Sequence, residues 1–173
     1  TSFNAKEPEK FKNIIPFLSK CDKMFKTLVP KAHQLQYKKA HETDFVISDT
    51  AFSTVTINYN WRTALHKDAG DLKAGFGNLS CIQRGKYHGG ETMFPQFGIA
   101  FNLQTGDFLA MDVHEWHCND DLYETKEDKK YNKTLPKVFK DNPEVGTAGL
   151  DKDFTRLSFV CYLREKIVNC PNS

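Results

Sequence analysis

The spacing of apolar residues changes character once along the chain. Over residues 8–28, Phe11, Ile14, Ile15, Leu18, Cys21, Phe25 and Leu28 recur at helical intervals and predict an amphipathic helix. Pro16 falls inside this segment and is expected to kink or split it. Pro30 opens a second predicted helix over residues 30–42. From Ser53 onward the period becomes two. Residues 53–60 (STVTINYN) alternate and are β-branched, which predicts a strand. Further short strands are expected at 76–83, 91–94, 97–103, 107–112 and 156–163, with turn signals at Gly85, Gly89–Gly90 and Thr105–Gly106. No long helix interrupts the run, which disfavours a parallel βαβ sheet. Helices first and short strands afterwards predict a mainly β fold, an antiparallel barrel or sandwich with N-terminal helices packed outside. Residues 119–155 are charged and poor in aliphatics, and are expected to be a long insertion or lid between two core strands. The chain therefore reads as a single domain over residues 1–173: helical support in 1–45, a β core in 46–118 and 156–165, and the excursion between.

Composition adds constraints. A length of 173 residues allows a real core, and 14 Phe point to an aromatic interior. A net charge of +2 leaves no global basic field to announce nucleic acid, so any such site relies on a local patch. Lys126, Lys129, Lys130, Lys133, Lys137 and Lys140 of the excursion could contact phosphates, yet they alternate with acids as a solvated face would. The five cysteines are widely spaced without a CxxC pair, which argues against a zinc cluster and for reduced thiols in an intracellular protein. The opening TSFNAKEPEK has neither initiator Met nor signal-peptide pattern, so a trimmed chain without a leader is expected. No 18-residue apolar stretch exists to cross a membrane. Nothing in the chain points to a protein partner, and a monomer is expected.

The chemistry concentrates in NYNWRTALHKDAGD, residues 58–71. If strand geometry persists to Asp68, then Asn60, Arg62, Ala64, His66 and Asp68 share a face. His66 and Asp68 could then hold two adjacent positions on a metal. One further histidine would complete a 2-His-1-carboxylate face with open positions, as non-haem iron oxygenases require. The segment GDFLAMDVHEWHCN offers His114 and His117; His117 is favoured, with His114 behind it or facing substrate. Between the metal segments, YHGGETMFPQFGIAFNLQTGD has the Gly-Gly, strand, proline, strand, Gly-Asp layout that resembles a double-stranded β-helix oxygenase. After the excursion, RLSFVCYLR places Arg156, Ser158, Val160 and Tyr162 on one face and Leu157, Phe159, Cys161 and Leu163 on the other. An arginine opening such a strand can grip the distal carboxylate of 2-oxoglutarate in a bidentate pair. Arg62 and Asn60 could touch cosubstrate or phosphate, or could be structural.

Taken together, residues 53–164 resemble the TET/JBP dioxygenases, which oxidise the methyl group of 5-methylcytosine or thymine in nucleic acid. The helices before them carry no assignable motif. The resemblance implies iron(II) on His66, Asp68 and His117, with 2-oxoglutarate on Arg156 and Ser158. It implies Tyr162 stacking on a flipped base. Asp71 falls where TET enzymes carry an asparagine that contacts cytosine, and Arg164 where they carry a base-contacting histidine. A carboxylate can accept from thymine N3–H or from a cytosine amino group, so Asp71 leaves the base open. The cysteine-rich zinc region of animal TET enzymes is missing here, which implies a compact member of the kind found in phages, giant viruses or protists.

The implied reaction consumes O2 and 2-oxoglutarate, with ascorbate as a possible reductant, and places a hydroxyl on the substrate methyl. A base within a duplex must be flipped out or single-stranded to be reached. An alternative keeps the chemistry but takes a small molecule, free nucleobase or amino-acid side chain. A catalytically idle binding module would need a broken iron face, whereas every candidate ligand is present.

Overall fold

The computed structural model describes residues 2–136 and 153–170. Three N-terminal helices, α1 (Ser2–Lys6), α2 (Pro8–Leu28) and α3 (Pro30–Ala40), precede the strands. Pro16 neither splits nor ends α2, which stays helical throughout. The ring is on the exposed side, so the Lys12 carbonyl that loses its partner faces water. The break to α3 comes at Val29 (φ −134°, ψ 63°), which the following Pro30 excludes from helical geometry.

Among the described residues seven strands follow: β1 (Thr54–Tyr59), β2 (Gly77–Arg84), β3 (Thr92–Phe94), β4 (Ile99–Phe101), β5 (Phe108–Met111), β6 (Cys118–Asn119) and β7 (Thr155–Tyr162). They form two antiparallel sheets, one in the order β1-β7-β2-β5 and one in the order β4-β3-β6. The last strand thus inserts between the first two, with Asn58 opposite Ser158 and Cys81 opposite that same serine. The expected strand at 97–103 is shorter than its pattern suggests. A 3-10 turn occupies Pro95–Phe97 and Gly98 adopts φ 64°, so pairing starts only at Ile99.

The helices pack on the outer face of the larger sheet. Leu18, Cys21 and Phe25 of α2 meet Ile47, Ala51, Phe52 and Cys161 in the main core cluster. A buried polar clip reinforces the contact: Asp22 accepts from Ala51 N (2.8 Å) and pairs with His33 (3.0 Å). Gln36 donates to Ala51 O (3.0 Å) and accepts from Phe76 N (2.8 Å). These bonds form where water is largely excluded, which ties α3 to the sheet.

The excursion at 119–155 is partly ordered. Helix α4 (Lys126–Asn132) starts with a capping box, in which Thr125 and Asp128 satisfy each other's backbone N–H groups. Asp128 also accepts from His88 (3.0 Å), and Asn132 holds both Lys86 N and Lys86 O at 2.7 Å. These bonds tether the start of the excursion to the β2–β3 loop. Lys126, Lys129, Lys130 and Lys133 belong to α4 and its end, while Lys137 and Lys140 lie outside the described residues. A further helix, α5 (Glu165–Val168), closes the described chain. All five cysteines are free thiols, and no described helix is long and apolar enough to cross a membrane.

Candidate active site

A cavity of about 240 Å³ opens between the two sheets. Its most ordered feature is a backbone clip between residues 66–68 and 113–117. His66 and His117 exchange both N–H···O bonds (2.9 and 3.0 Å), and Asp68 N donates to Val113 O (2.9 Å). The pairing is not the continuous strand that alternation suggested. β1 ends at Tyr59, Asn60 turns to φ 46°, hydrogen bonds tie Trp61 and Thr63 to Asn119, and a β-bridge forms again at His66–His117.

This clip brings three metal-binding groups together. One nitrogen or oxygen from each of His66, Asp68 and His117 lies within 4.8 Å of the others. Each histidine donates Nδ1–H to a backbone carbonyl, His66 to Ala64 (2.7 Å) and His117 to Glu115 (2.8 Å). That bond fixes the tautomer and leaves Nε2 with its lone pair free. Both Nε2 atoms face Asp68, at 3.4 Å from Oδ1 and 3.9 Å from Oδ2. Two imidazole nitrogens and one carboxylate with open space beside them fit iron(II) in a three-ligand face.

Arg156 lies on the cavity wall, only 5% exposed, and among the described residues no carboxylate pairs with it. A buried guanidinium without a counter-charge is costly unless an anion joins it. Its room depends on Gly90 (φ 80°), where a Cβ would come within 3.1 Å of Arg156 Nε and 2.6 Å of a Leu122 methyl. Ser158, Val160 and Tyr162 line the same cavity from the same face of β7. The opposite face of that strand supplies buried Phe159 and Cys161, with Leu163 just beyond. The cavity thus fits an anionic cosubstrate held between Arg156 and the metal face.

Asp71 also lines the cavity. It is 7% exposed, and Oδ2 has no hydrogen-bond partner. Burial, followed by the nearby Asp68 charge, pushes its carboxyl up to about 7, against the pull of His114 and Arg164. Its backbone is fixed by a bridge to Arg164 and by the Leu72 N to Leu163 O bond (2.8 Å).

Four sequence candidates are not brought into the cavity lining. Asn60 instead donates to Phe154 O (3.0 Å) and accepts from Arg156 N (2.7 Å), bracing the start of β7. Arg62 is exposed and pairs with Asp121 (3.3 Å). His114 turns back onto Asp112 (3.0 Å). Arg164 is exposed beside Asp71, its N–H bonded to Ser53 Oγ (2.9 Å). Conversely, Asn58, Trp61, Thr63, Thr92 and Asn119 line the cavity without having been singled out. Asn58 was legible as the same-face neighbour of a β1 residue; Asn119 and Trp61 depend on loop pairing that periodicity does not carry.

This fold and metal face define an oxygenase domain. The family model Tet_JBP, described as the oxygenase domain of the 2OGFeDO superfamily, matches residues 1–165, and the chain belongs to that family. The match includes the N-terminal helices, to which motif reading assigned nothing. Similar curated proteins include the bifunctional helicase and thymine dioxygenase JBP2 of Leishmania tarentolae, 33% identical over 154 residues. Another is the thymine dioxygenase JBP1-A of Trypanosoma cruzi (strain CL Brener), 30% identical over 165 residues. These alignments cover 89% and 95% of this chain but only 12% and 17% of the respective relatives. Among solved structures, NgTET1 in complex with 5mC DNA matches with a TM-score of 0.63, covering 99% of this chain and 57% of that one at 11% identity. That likeness is one of fold, the double-stranded β-helix.

Proposed function

We propose that this domain is an iron(II)- and 2-oxoglutarate-dependent dioxygenase that hydroxylates the methyl group of a 5-methylpyrimidine, thymine or 5-methylcytosine, in DNA. The observation that carries it is the metal face: both histidine Nε2 atoms face Asp68 beside a buried Arg156 that no carboxylate among the described residues neutralises. The curated relatives named as thymine dioxygenases support the substrate class.

In this reading His66, Asp68 and His117 hold the metal, and Arg156 with Ser158 binds the distal carboxylate of the cosubstrate. When bound, iron(II) and 2-oxoglutarate supply the activation of O2, with the cosubstrate leaving as succinate and CO2. The chain's residues bind, orient and exclude water. Leu79, Met111 and Val160 make part of the wall apolar. Tyr162 offers a ring to the base, and Asp71 offers a carboxyl whose Oδ2 has no hydrogen-bond partner among the described residues. The target base reaches this interior by leaving the stack or from a single strand.

The test sets DNA against small substrates. Purified protein with iron(II), 2-oxoglutarate and ascorbate is incubated with thymine DNA, 5-methylcytosine DNA, or the free bases and nucleosides, and products are read by mass spectrometry. A hydroxymethyl base in DNA is expected, with little product from free bases. Product from the free bases or nucleosides alone would overturn the DNA assignment.

A further inference from the structure

Trp61 has an environment that no structural role explains. It lines the cavity yet is 60% exposed, and the described structure gives its indole no hydrogen-bond or ring partner. The backbone around it, by contrast, is held tightly. Asn60 turns to positive φ and is bonded to β7 just before it. Just after it, Thr63 N donates to Asn119 Oδ1 (2.7 Å), and Asn119 Nδ2 donates to Trp61 O (3.2 Å). Single exposed apolar side chains are ordinary, but of the exposed large apolar side chains among the described residues Trp61 is the one that also lines the cavity. Trp116, the chain's other tryptophan, differs: the Lys67 ammonium lies 5.4 Å from its ring centre.

We propose that Trp61 is a stacking platform at the cavity mouth that receives a nucleobase flanking the target, and so positions the substrate strand. The inference rests on the nucleic-acid reading above. A flanking base is the occupant because Tyr162 already presents a ring inside the cavity, while Trp61 stands at its rim. Aromatic stacking accepts any base, because every base has a π face. A platform of this kind also explains strand binding by a chain of net charge only +2, for which phosphate attraction is weak.

Because there are two tryptophans, the Trp116→Phe variant makes Trp61 the sole indole reporter. A single-stranded thymine oligonucleotide is titrated into this full chain, following indole emission and oligonucleotide anisotropy together. Trp61 emission is expected to be quenched in step with binding, and less so when abasic sites flank the target. In parallel, Trp61→Ala is expected to raise the KM for the oligonucleotide roughly ten- to a hundredfold, with Trp61→Phe restoring part of it. The denaturation midpoint of Trp61→Ala should match that of the wild type, which a general folding defect would not allow. Oligonucleotide binding with silent Trp61 emission, or an unchanged KM in Trp61→Ala, overturns this inference alone. Failure of the wild type to bind any oligonucleotide overturns it together with the DNA reading.

Discussion

Asp71 is the residue whose environment is least comfortable. Its ordinary value of 3.8 is pushed up to about 7, first by burial and then by Asp68. The folded chain therefore holds this proton more tightly than the unfolded chain does. The resulting stability is fully present below the unfolded value and is lost as pH rises from about 4 through about 7. In metal-free protein, the wild-type Tm is expected to fall relative to that of Asp71→Asn across this interval. Parallel Tm curves for the two proteins would contradict the assigned environment. The same residue marks a limit of reading from sequence. Asp71 was identified as a candidate by its place after His66, but its protonation depends on burial in a fold that bridges it to Arg164, far away in sequence.

At the scale of elements, the turn at the end of β1 links the proposed metal face to the proposed cosubstrate site. Alternation placed Asn60 on the site face, on the assumption that the strand continues. It does not, because Asn60 adopts φ 46° and uses both ends of its amide to hold Phe154 and Arg156. Asn60→Ala removes these bonds and leaves at positive φ a residue that tolerates it less well than Asn, with an expected loss of about 2 kcal/mol in chemical denaturation. Because Arg156 N is one partner, the KM for 2-oxoglutarate should rise as well. An Asn60→Ala protein with wild-type denaturation midpoint and KM would show the clip to be dispensable. By contrast, the face of β7 followed directly from its period of two: Arg156, Ser158, Val160 and Tyr162 all line the cavity. A strand paired on both edges, with β1 and β2, is held to that period, whereas the segment after Tyr59 has no such constraint. Helix α4 went unread inside a charged excursion, although Thr125 and Asp128 carry the spacing of a capping box.

For the molecule as a whole, helices first and antiparallel strands afterwards were legible, because amphipathic periods report which face each element buries. Which strands are neighbours was not, since β7 crosses from the far end of the chain to lie between β1 and β2. That crossing brings Arg156 to His66, Asp68 and His117 in one cavity, and on it the proposed function depends. The most direct measurement is the yield of hydroxymethylpyrimidine in DNA, with succinate quantified in the same reaction, for wild type and for His66→Ala, Asp68→Ala and His117→Ala. Iron-dependent product and matching succinate are expected in the wild type, with loss of iron binding and product in each variant. Full product from any one of these variants, or iron-dependent succinate in the wild type with no modified base in any DNA supplied, would contradict the proposed function.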